Sequence, residues 1–240
     1  MNFSTTTKVK DIALANSSAR QVLESARVDY CCGGGKSLQD ACTHAGVSAE
    51  EILLKLHENS RHIDPSEADW TTAPLSVLTA HIKNHHHKYV RHAIAHILPL
   101  LEKVVIKHGS HRPELSEIDS AFRAVAKEMT AHMQKEEMIL FPFIDALDQA
   151  SATHSKPERP FFQTVRNPIF AMMNEHDAAG DLVKQIRKAS SDYQPPEDAC
   201  TSYKALFQEL QEFERDLHQH VHLENNILFP RAVDREAAVL

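Results

Sequence analysis

The sequence is poor in glycine and cysteine and has no long apolar run. Six glycines among 240 residues, with few alternating strand-like patterns, favour helices over sheets. No apolar run approaches the roughly 18 residues that a membrane-spanning helix needs, and the opening MNFSTTTKVKD lacks the apolar core of a signal peptide. We therefore expect a cytoplasmic protein in which the four cysteines are reduced.

Positive charge is also in short supply. The 26 Lys and Arg residues are outnumbered by 33 Asp and Glu residues. The resulting net charge of −7 argues against a nucleic-acid or anionic-membrane partner, because both require a basic surface. A hydrophobic fraction of 42% is that of an ordinary globular protein. Histidine is the residue in excess, with 17 copies.

The spacing of apolar residues predicts two helical regions of different kinds. Residues 1–62 contain short amphipathic segments and are predicted to form a small helical N-terminal domain. The polar, proline-containing stretch 63–74 is predicted to be a linker. Residues 75–240 contain four long helical patterns joined by moderate loops, which is typical of an antiparallel four-helix bundle. The predicted fold class is therefore all-α.

The four long patterns have approximate limits at prolines and polar loops. They cover about 74–108, 113–147, 160–190 and 198–230. Pro99 lies inside the first pattern and predicts a kink or a local break there. The Leu-Phe-Pro that closes the fourth pattern predicts the end of that helix or a bend in it.

One motif occurs twice, 88 positions apart. Residues 132–142 read HMQKEEMILFP and residues 220–230 read HVHLENNILFP, so both copies fit His-x-x-x-Glu-x-x-Ile-Leu-Phe-Pro. On a helix, residues four apart lie on one face. A single His-x-x-x-Glu pair is usually a solvated surface contact, but the same apolar context in both copies favours a shared role in the bundle core. Two such faces turned toward each other predict a metal site.

The other two long helices are expected to supply a matching pair of histidines. His176 lies 89 positions after His87, close to the spacing of the repeat. Within the run His85, His86 and His87, helical periodicity slightly favours His86 and the spacing favours His87. Four imidazoles and two bridging carboxylates can hold two metal ions, with iron preferred and manganese or zinc as competitors. The candidate ligands are His87, His132, Glu136, His176, His220 and Glu224.

Two further acidic residues precede the repeated histidines by one turn. Glu128 and Asp216 give the pattern acid-x-x-x-His-x-x-x-Glu on both helices. They are predicted to orient the imidazoles or to line an ion path. The remaining histidines singled out by their position are expected at the surface or in the wall of the bundle: His81, His92, His96, His108 and His222.

Several stretches together resemble a known family. They are VDYCCGGGKSL, W-x-x-A-P before the first long helix, HMQKEEMILFP, NEHDAAG and HLENNILFPRA. Over nearly the whole chain the sequence resembles the repair-of-iron-centres (RIC) di-iron proteins, a branch of the hemerythrin-like bundles. The resemblance implies the six ligands named above, with both glutamates bridging two non-haem iron ions. It also implies functional roles for Glu128 and Glu175. The chain departs from the family in a longer loop after Ile144 and in the three consecutive histidines.

The adjacent Cys31 and Cys32 are a second candidate site. They are flanked by glycines and precede a helix predicted to start near Ser37, where thiol pKa values are lowered. The alternative is a small buried turn with two inert thiols. The resemblance implies redox, iron or nitric-oxide handling by this pair, or contact with client proteins. Cys42 and Cys200 are expected to be structural.

The resemblance implies repair of iron–sulfur clusters damaged by nitrosative and oxidative stress. The work would be done by iron donation, by nitric oxide reduction or by both, so a nitric oxide reductase activity stays open. Damaged iron–sulfur proteins would be the clients, nitric oxide or dioxygen the small ligands, and a homodimer is left open. One alternative is a hemerythrin-like dioxygen or nitric oxide carrier or sensor without repair activity. Another is a scaffold that binds zinc or no metal.

Overall fold

A computed structural model describes residues 3–59 and 68–240. The chain divides into two compact units: Met1–Pro74 with Val221–Pro230, and Leu75–His220 with Arg231–Leu240. Helices account for nearly all regular structure in the described residues. The β-structure there is one isolated antiparallel bridge between Lys8 and Ser37. No helix within the described ranges is long and apolar enough to cross a membrane.

The first unit contains four short helices around a small apolar core. Asn16 accepts a hydrogen bond from the Ala19 N–H at 2.7 Å, which caps the second helix, and Ser37 caps the third in the same way through Asp40. Gly46 ends the third helix in a left-handed conformation, with φ of 72°. The helices are α1 (Val9–Ala15), α2 (Ser17–Ser25), α3 (Leu38–Ala45) and α4 (Ala49–Asn59).

These helices confirm the small helical N-terminal domain predicted from the sequence. Their core is formed mainly by aliphatic side chains from all four helices, including Ile12, Leu23, Leu38 and Ile52. The predicted limit of this domain at residue 62, and the first part of the predicted linker, lie outside the described residues.

The helices that follow residue 74 form an all-α bundle, as predicted. Three π-helical turns interrupt its long helices, at Lys83–His87, Glu136–Leu140 and Glu224–Leu228. The first turn joins α5 to α6, the second joins α7 to α8, and the third joins α10 to α11. The helices are α5 (Leu75–Ile82), α6 (Lys88–His108), α7 (Glu114–Lys135), α8 (Phe141–Thr153), α9 (Arg166–Ala189), α10 (Thr201–Leu223) and α11 (Phe229–Val239).

A Phe-Pro pair directly follows each of the last two π-helical turns. A proline inside a helix has no N–H to donate and its ring crowds the carbonyl one turn earlier. In both copies the residue before the proline donates instead to a carbonyl five residues back: Phe141 N–H to Glu136 and Phe229 N–H to Glu224. One extra residue is thereby accommodated in the turn. Each wide turn begins at the repeated glutamate.

The long helices differ from the prediction at several points; for example, α8 ends at Thr153 rather than near 147, and α9 begins at Arg166 rather than near 160. The fourth long helix does not end at Pro230 but continues as α11 to Val239, with Pro230 as the second residue of α11. The first long helix passes through Pro99 without a break, so the lost hydrogen bond is tolerated within the 21 residues of α6.

A buried carboxylate anchors the start of α9. Glu236 on α11, 8% exposed, accepts a hydrogen bond from the Val165 N–H at 2.8 Å and another from the Thr164 hydroxyl. Val165 is itself fully buried and directly precedes α9. The carboxylate therefore satisfies a donor that no water can reach and places negative charge at a helix N-terminus.

Replacing Glu236 with Ala should lower the free energy of unfolding by about 1–3 kcal/mol, because a buried N–H would lose its acceptor. Urea denaturation followed by circular dichroism measures this. Asp234→Ala is the matched control, since Asp234 lies exposed on the same helix. Equal stability of the two variants would contradict the anchoring role.

Candidate metal centre

The six candidate ligands come from four long helices, and three of them occupy π-helical turns. His87 ends the first such turn, and Glu136 and Glu224 begin the other two. His132 and His220 lie one turn before these glutamates, and His176 lies in the middle of α9. All six side chains are 0–1% exposed. Buried groups of this polarity require partners, since burying them alone is costly.

The ligand atoms form two overlapping groups, each gathered within 4.8 Å. Glu136 and Glu224 belong to both groups, so each pair of histidines shares the same two carboxylates. The first group adds His87 and His220, and the second adds His132 and His176.

Individual distances around Glu136 are short. Its Oε2 lies 3.4 Å from the Nε2 of His87 and 3.3 Å from the Nε2 of His132. The Nε2 atoms of His132 and His176 are 3.0 Å apart. Imidazole nitrogens and carboxylate oxygens at this density fit a pair of borderline divalent ions such as iron, manganese or zinc.

Carboxylates outside the cluster orient two of the imidazoles. The Nδ1 of His87 donates to Glu137 at 2.7 Å, and the Nδ1 of His132 donates to Glu175 at 2.9 Å. A proton held on Nδ1 leaves the Nε2 lone pair facing the cluster, which is the usual arrangement of a metal-binding histidine. The donor set and its orientation therefore fit a metal centre.

Both outer carboxylates remain ionised at neutral pH. The hydrogen bond from His132 is the main reason that the pKa of Glu175 falls to about 2; burial opposes the shift and Lys135 reinforces it. Burial would raise the pKa of Glu137, but hydrogen bonds from His87 and from Arg91, the latter at 2.8 Å, outweigh burial and lower it. Glu137 and Glu175 therefore each contact both a candidate ligand histidine and a basic side chain.

The structure differentiates the acidic residues that the sequence suggested. Glu175 contacts His132, whereas Glu128 lies exposed on α7. Asp216 accepts a hydrogen bond from the Nδ1 of His86 at 3.0 Å. Glu137 was missed by the sequence analysis, although it directly follows a candidate ligand.

The histidine run also has a defined register. His85 is exposed, and His86 is buried against Asp216 with its ring stacked 5.5 Å from that of His220. His87 is the member that enters the ligand group, so the spacing argument predicts its position and simple periodicity does not.

The cysteine pair lies in a loop organised by one carboxylate. The Oδ1 of Asp29 accepts the backbone N–H groups of Cys31, Cys32 and Gly33 at 3.2, 3.0 and 3.0 Å. A hydrogen bond with Cys32 and then burial raise the pKa of Cys31 well above its ordinary value. The expectation of a lowered pKa is wrong for Cys31, because α3 begins only at Leu38 and an anion lies beside the thiol. Cys32 is partly exposed.

This loop is fastened to the last π-helical turn. Asn226 donates to the carbonyl of Tyr30 at 2.9 Å and to the Nδ1 of His222 at the same distance. His222 is buried, with its ring edge-on to Tyr30 at 5.4 Å. Gly34 allows the approach, since a Cβ there would lie 2.8 Å from the Tyr30 carbonyl oxygen and 3.0 Å from the Asn226 Oδ1. The cysteine loop and Glu224 therefore belong to one compact unit.

Comparison with known proteins gives the class. Residues 78–232 match the hemerythrin HHE cation binding domain, and residues 5–60 match the ScdA_N domain, described as a domain of unknown function (DUF542). The chain is a hemerythrin-like protein with an ScdA-type N-terminal domain.

The relatives narrow this class further. The chain is 33% identical over 227 residues to the iron-sulfur cluster repair protein YtfE of Yersinia pseudotuberculosis serotype IB (strain PB1/+), across 94% of this chain and 96% of that protein. The YtfE protein of Yersinia pestis (strain Pestoides F) gives the same figures. This chain belongs to the repair-of-iron-centres family, which confirms the resemblance seen in the sequence motifs.

Substitution of the three consecutive histidines tests the register. His87→Ala should lower the affinity for ferrous iron by more than the roughly 10- to 100-fold typical of losing an outer partner. His86→Ala should have a smaller effect, and His85→Ala, at an exposed position, none. Anaerobic iron titration with elemental analysis measures all three. A greater loss in His86→Ala than in His87→Ala would refute the assignment.

The outer carboxylates give an independent test. Glu137→Gln and Glu175→Gln should each weaken iron binding about 10- to 100-fold, because the imidazole partner would lose its anionic acceptor. Glu128→Gln is the matched control on α7 and should bind iron like the wild type. If Glu128→Gln weakens binding as much as Glu175→Gln, the assigned orienting role of Glu175 fails.

Proposed function

We propose that this chain holds two iron ions at the candidate centre and repairs iron–sulfur clusters damaged by nitric oxide or peroxide. The observation that carries the proposal is the sharing of Glu136 and Glu224 by two separate histidine pairs. Two ions would suit this arrangement better than one, because each could be held by two imidazoles together with the two shared carboxylates. The name of the relatives supports repair as the biological role.

The donor set supports iron. Mixed imidazole and carboxylate ligation suits iron, whereas structural zinc sites are mostly tetrahedral and rich in cysteine. Bound iron supplies one-electron chemistry and coordination positions at which nitric oxide or dioxygen can bind. The protein's own contribution is a set of buried ligand side chains, outer hydrogen bonds that orient His87 and His132, and two buried carboxylates that would offset the charge of the ions.

Two partly exposed carboxylates are the proposed points of ion entry and exit. The side chains of Glu137 and Glu175 are 28% and 34% exposed, while the histidines they contact are 0–1% exposed. Each therefore joins a buried ligand to the surface through a single hydrogen bond. The neighbouring Arg91 and Lys135 neutralise these carboxylates, which limits how strongly an ion is retained there.

The cysteine loop is the proposed contact with the damaged protein. Cys32 is the more exposed thiol, and the backbone around it is held by Asp29 rather than left free. Because Cys31 is buried with a raised pKa, Cys32 is the thiol we assign to iron or nitric-oxide handling.

A repair assay tests the proposal directly. Protein purified without oxygen should contain two coupled irons per chain by elemental analysis and Mössbauer spectroscopy. It should reactivate an iron–sulfur dehydratase inactivated by nitric oxide. His132→Ala and His220→Ala should lose iron and fall at least about tenfold in repair rate, whereas Glu128→Gln should retain both. Full repair by iron-depleted His132→Ala would exclude a role for this centre.

The same assay separates the routes and the alternatives. Iron donation predicts transfer of an iron isotope from this protein to the repaired cluster, and nitric oxide reduction predicts nitrous oxide formation. Cys31→Ser with Cys32→Ser should keep the iron and impair repair; loss of iron would contradict separate roles. Reversible dioxygen binding without any repair would replace the proposal with a carrier function.

A further inference from the structure

A histidine and a cysteine lie in contact far from the candidate metal centre. The Nε2 of His108, the last residue of α6, lies 3.2 Å from the Sγ of Cys200, which directly precedes α10. Cys200 is partly exposed, so small solutes can reach it. His108 lies 21 residues after His87 on a helix that rises about 1.5 Å per residue, so the pair is roughly 30 Å from the candidate ligands. It therefore has no part in holding metal.

The surroundings favour the thiolate. The hydrogen bond from His108 is the main reason that the pKa of Cys200 falls to about 7, and backbone N–H groups of Tyr203 and Ser202 reinforce the shift. These N–H groups belong to the first turn of the 23-residue α10, where the helix dipole also favours an anion. Lys107 lowers the pKa further.

An acidic residue close to Cys200 in sequence already has a basic partner. Asp198 forms a 2.6 Å ion pair with Arg112, so its charge is largely neutralised. Tyr203 packs edge-on to His108 at 5.5 Å, and burial raises its pKa to about 12, with Glu114 adding to the shift. The buried hydroxyl of Tyr203 has no hydrogen-bond partner among the described residues.

We propose that Cys200 is a peroxide-reactive thiol activated by His108. The thiolate sulfur attacks one oxygen of a hydroperoxide, so that an S–O bond forms and the O–O bond breaks. The sulfur is oxidised to a sulfenic acid and the hydroperoxide is reduced. The Nε2 of His108 holds the proton that the thiol gave up and passes it to the leaving oxygen, and water or an alcohol departs.

From the sequence we expected a structural role for Cys200, whereas the proposal assigns it a reactive one. Cys42, the other cysteine expected to be structural, is fully buried and its pKa is raised by burial. Cys200 differs from it in exposure, in its imidazole partner and in its position before a long helix. It is also the sole cysteine of the second unit, so its sulfenic acid would be resolved by an external thiol rather than by a neighbour in that unit.

Selective chemistry on the full-length protein tests this proposal. The rate of alkylation of each cysteine is followed by peptide mass spectrometry across pH, and the midpoint for Cys200 should lie near 7. After brief exposure to hydrogen peroxide at neutral pH, a sulfenic-acid probe should label Cys200 at least about tenfold faster than Cys42. Labelling of Cys200 no faster than Cys42, or a midpoint at the ordinary value of about 8.5, would overturn it.

Substitution of the imidazole gives the second arm. His108→Gln should raise the alkylation midpoint toward about 8.5 and reduce peroxide labelling at pH 7 roughly fivefold, since the gain in thiol basicity only partly offsets the lost thiolate. His111→Gln, at an exposed position three residues on, is the matched control. Iron content should be unchanged in both variants, which verifies the fold. An unchanged midpoint in folded His108→Gln would refute activation by His108.

Discussion

The structure depends on keeping four imidazoles and two carboxylates in a space that excludes water. Desolvated groups of this kind destabilise a fold unless each has a partner. Here the partners are arranged in shells: ligand atoms face one another across the cavity, and the outer ring nitrogens of His87 and His132 are bonded to Glu137 and Glu175. Those carboxylates in turn meet Arg91 and Lys135 near the surface. Around His87 and His132, polar groups therefore have partners from the centre out to the surface.

Local chain geometry places the carboxylates in this arrangement. The wide turns that start at Glu136 and Glu224 arise where a proline follows, and the histidine one turn earlier remains in regular α-helix. The same sequence motif therefore positions one histidine and one glutamate in each half of the centre. Asn226, inside the second of these turns, is also the residue that holds the cysteine loop through Tyr30.

Much of the fold and of the candidate site could be predicted from the sequence, because the informative patterns occur more than once. The repeated motif indicated His132, Glu136, His220 and Glu224, and the four apolar patterns indicated the bundle. The choice between His86 and His87 could not be made from periodicity, because the turn at Lys83–His87 contains an extra residue and advances the helix by one position. Counting four from Ile82 gives His86, whereas counting five, as a π-helical turn requires, gives His87.

Other features escaped prediction because they depend on burial or on neighbours distant in sequence. Glu137 takes its role from His87 on a different helix, 50 residues earlier. The thiol of Cys31 was expected to be acidic from its glycines and the following helix, but the hydrogen bond with Cys32, burial and Asp29 all raise its pKa. The thiol with a lowered pKa is instead Cys200, whose imidazole partner lies 92 residues away in sequence.

The π-helical turns have a consequence for metal binding. Covalent structure and the hydrogen bonds to Glu137 and Glu175 hold donor atoms of the cluster in position, so little conformational entropy would be lost when an ion arrives. The ligand positions would then be nearly the same with and without metal. Under the proposed iron donation, ions could leave and be replaced without unfolding, and occupancy would follow the supply of metal rather than the folding of the chain.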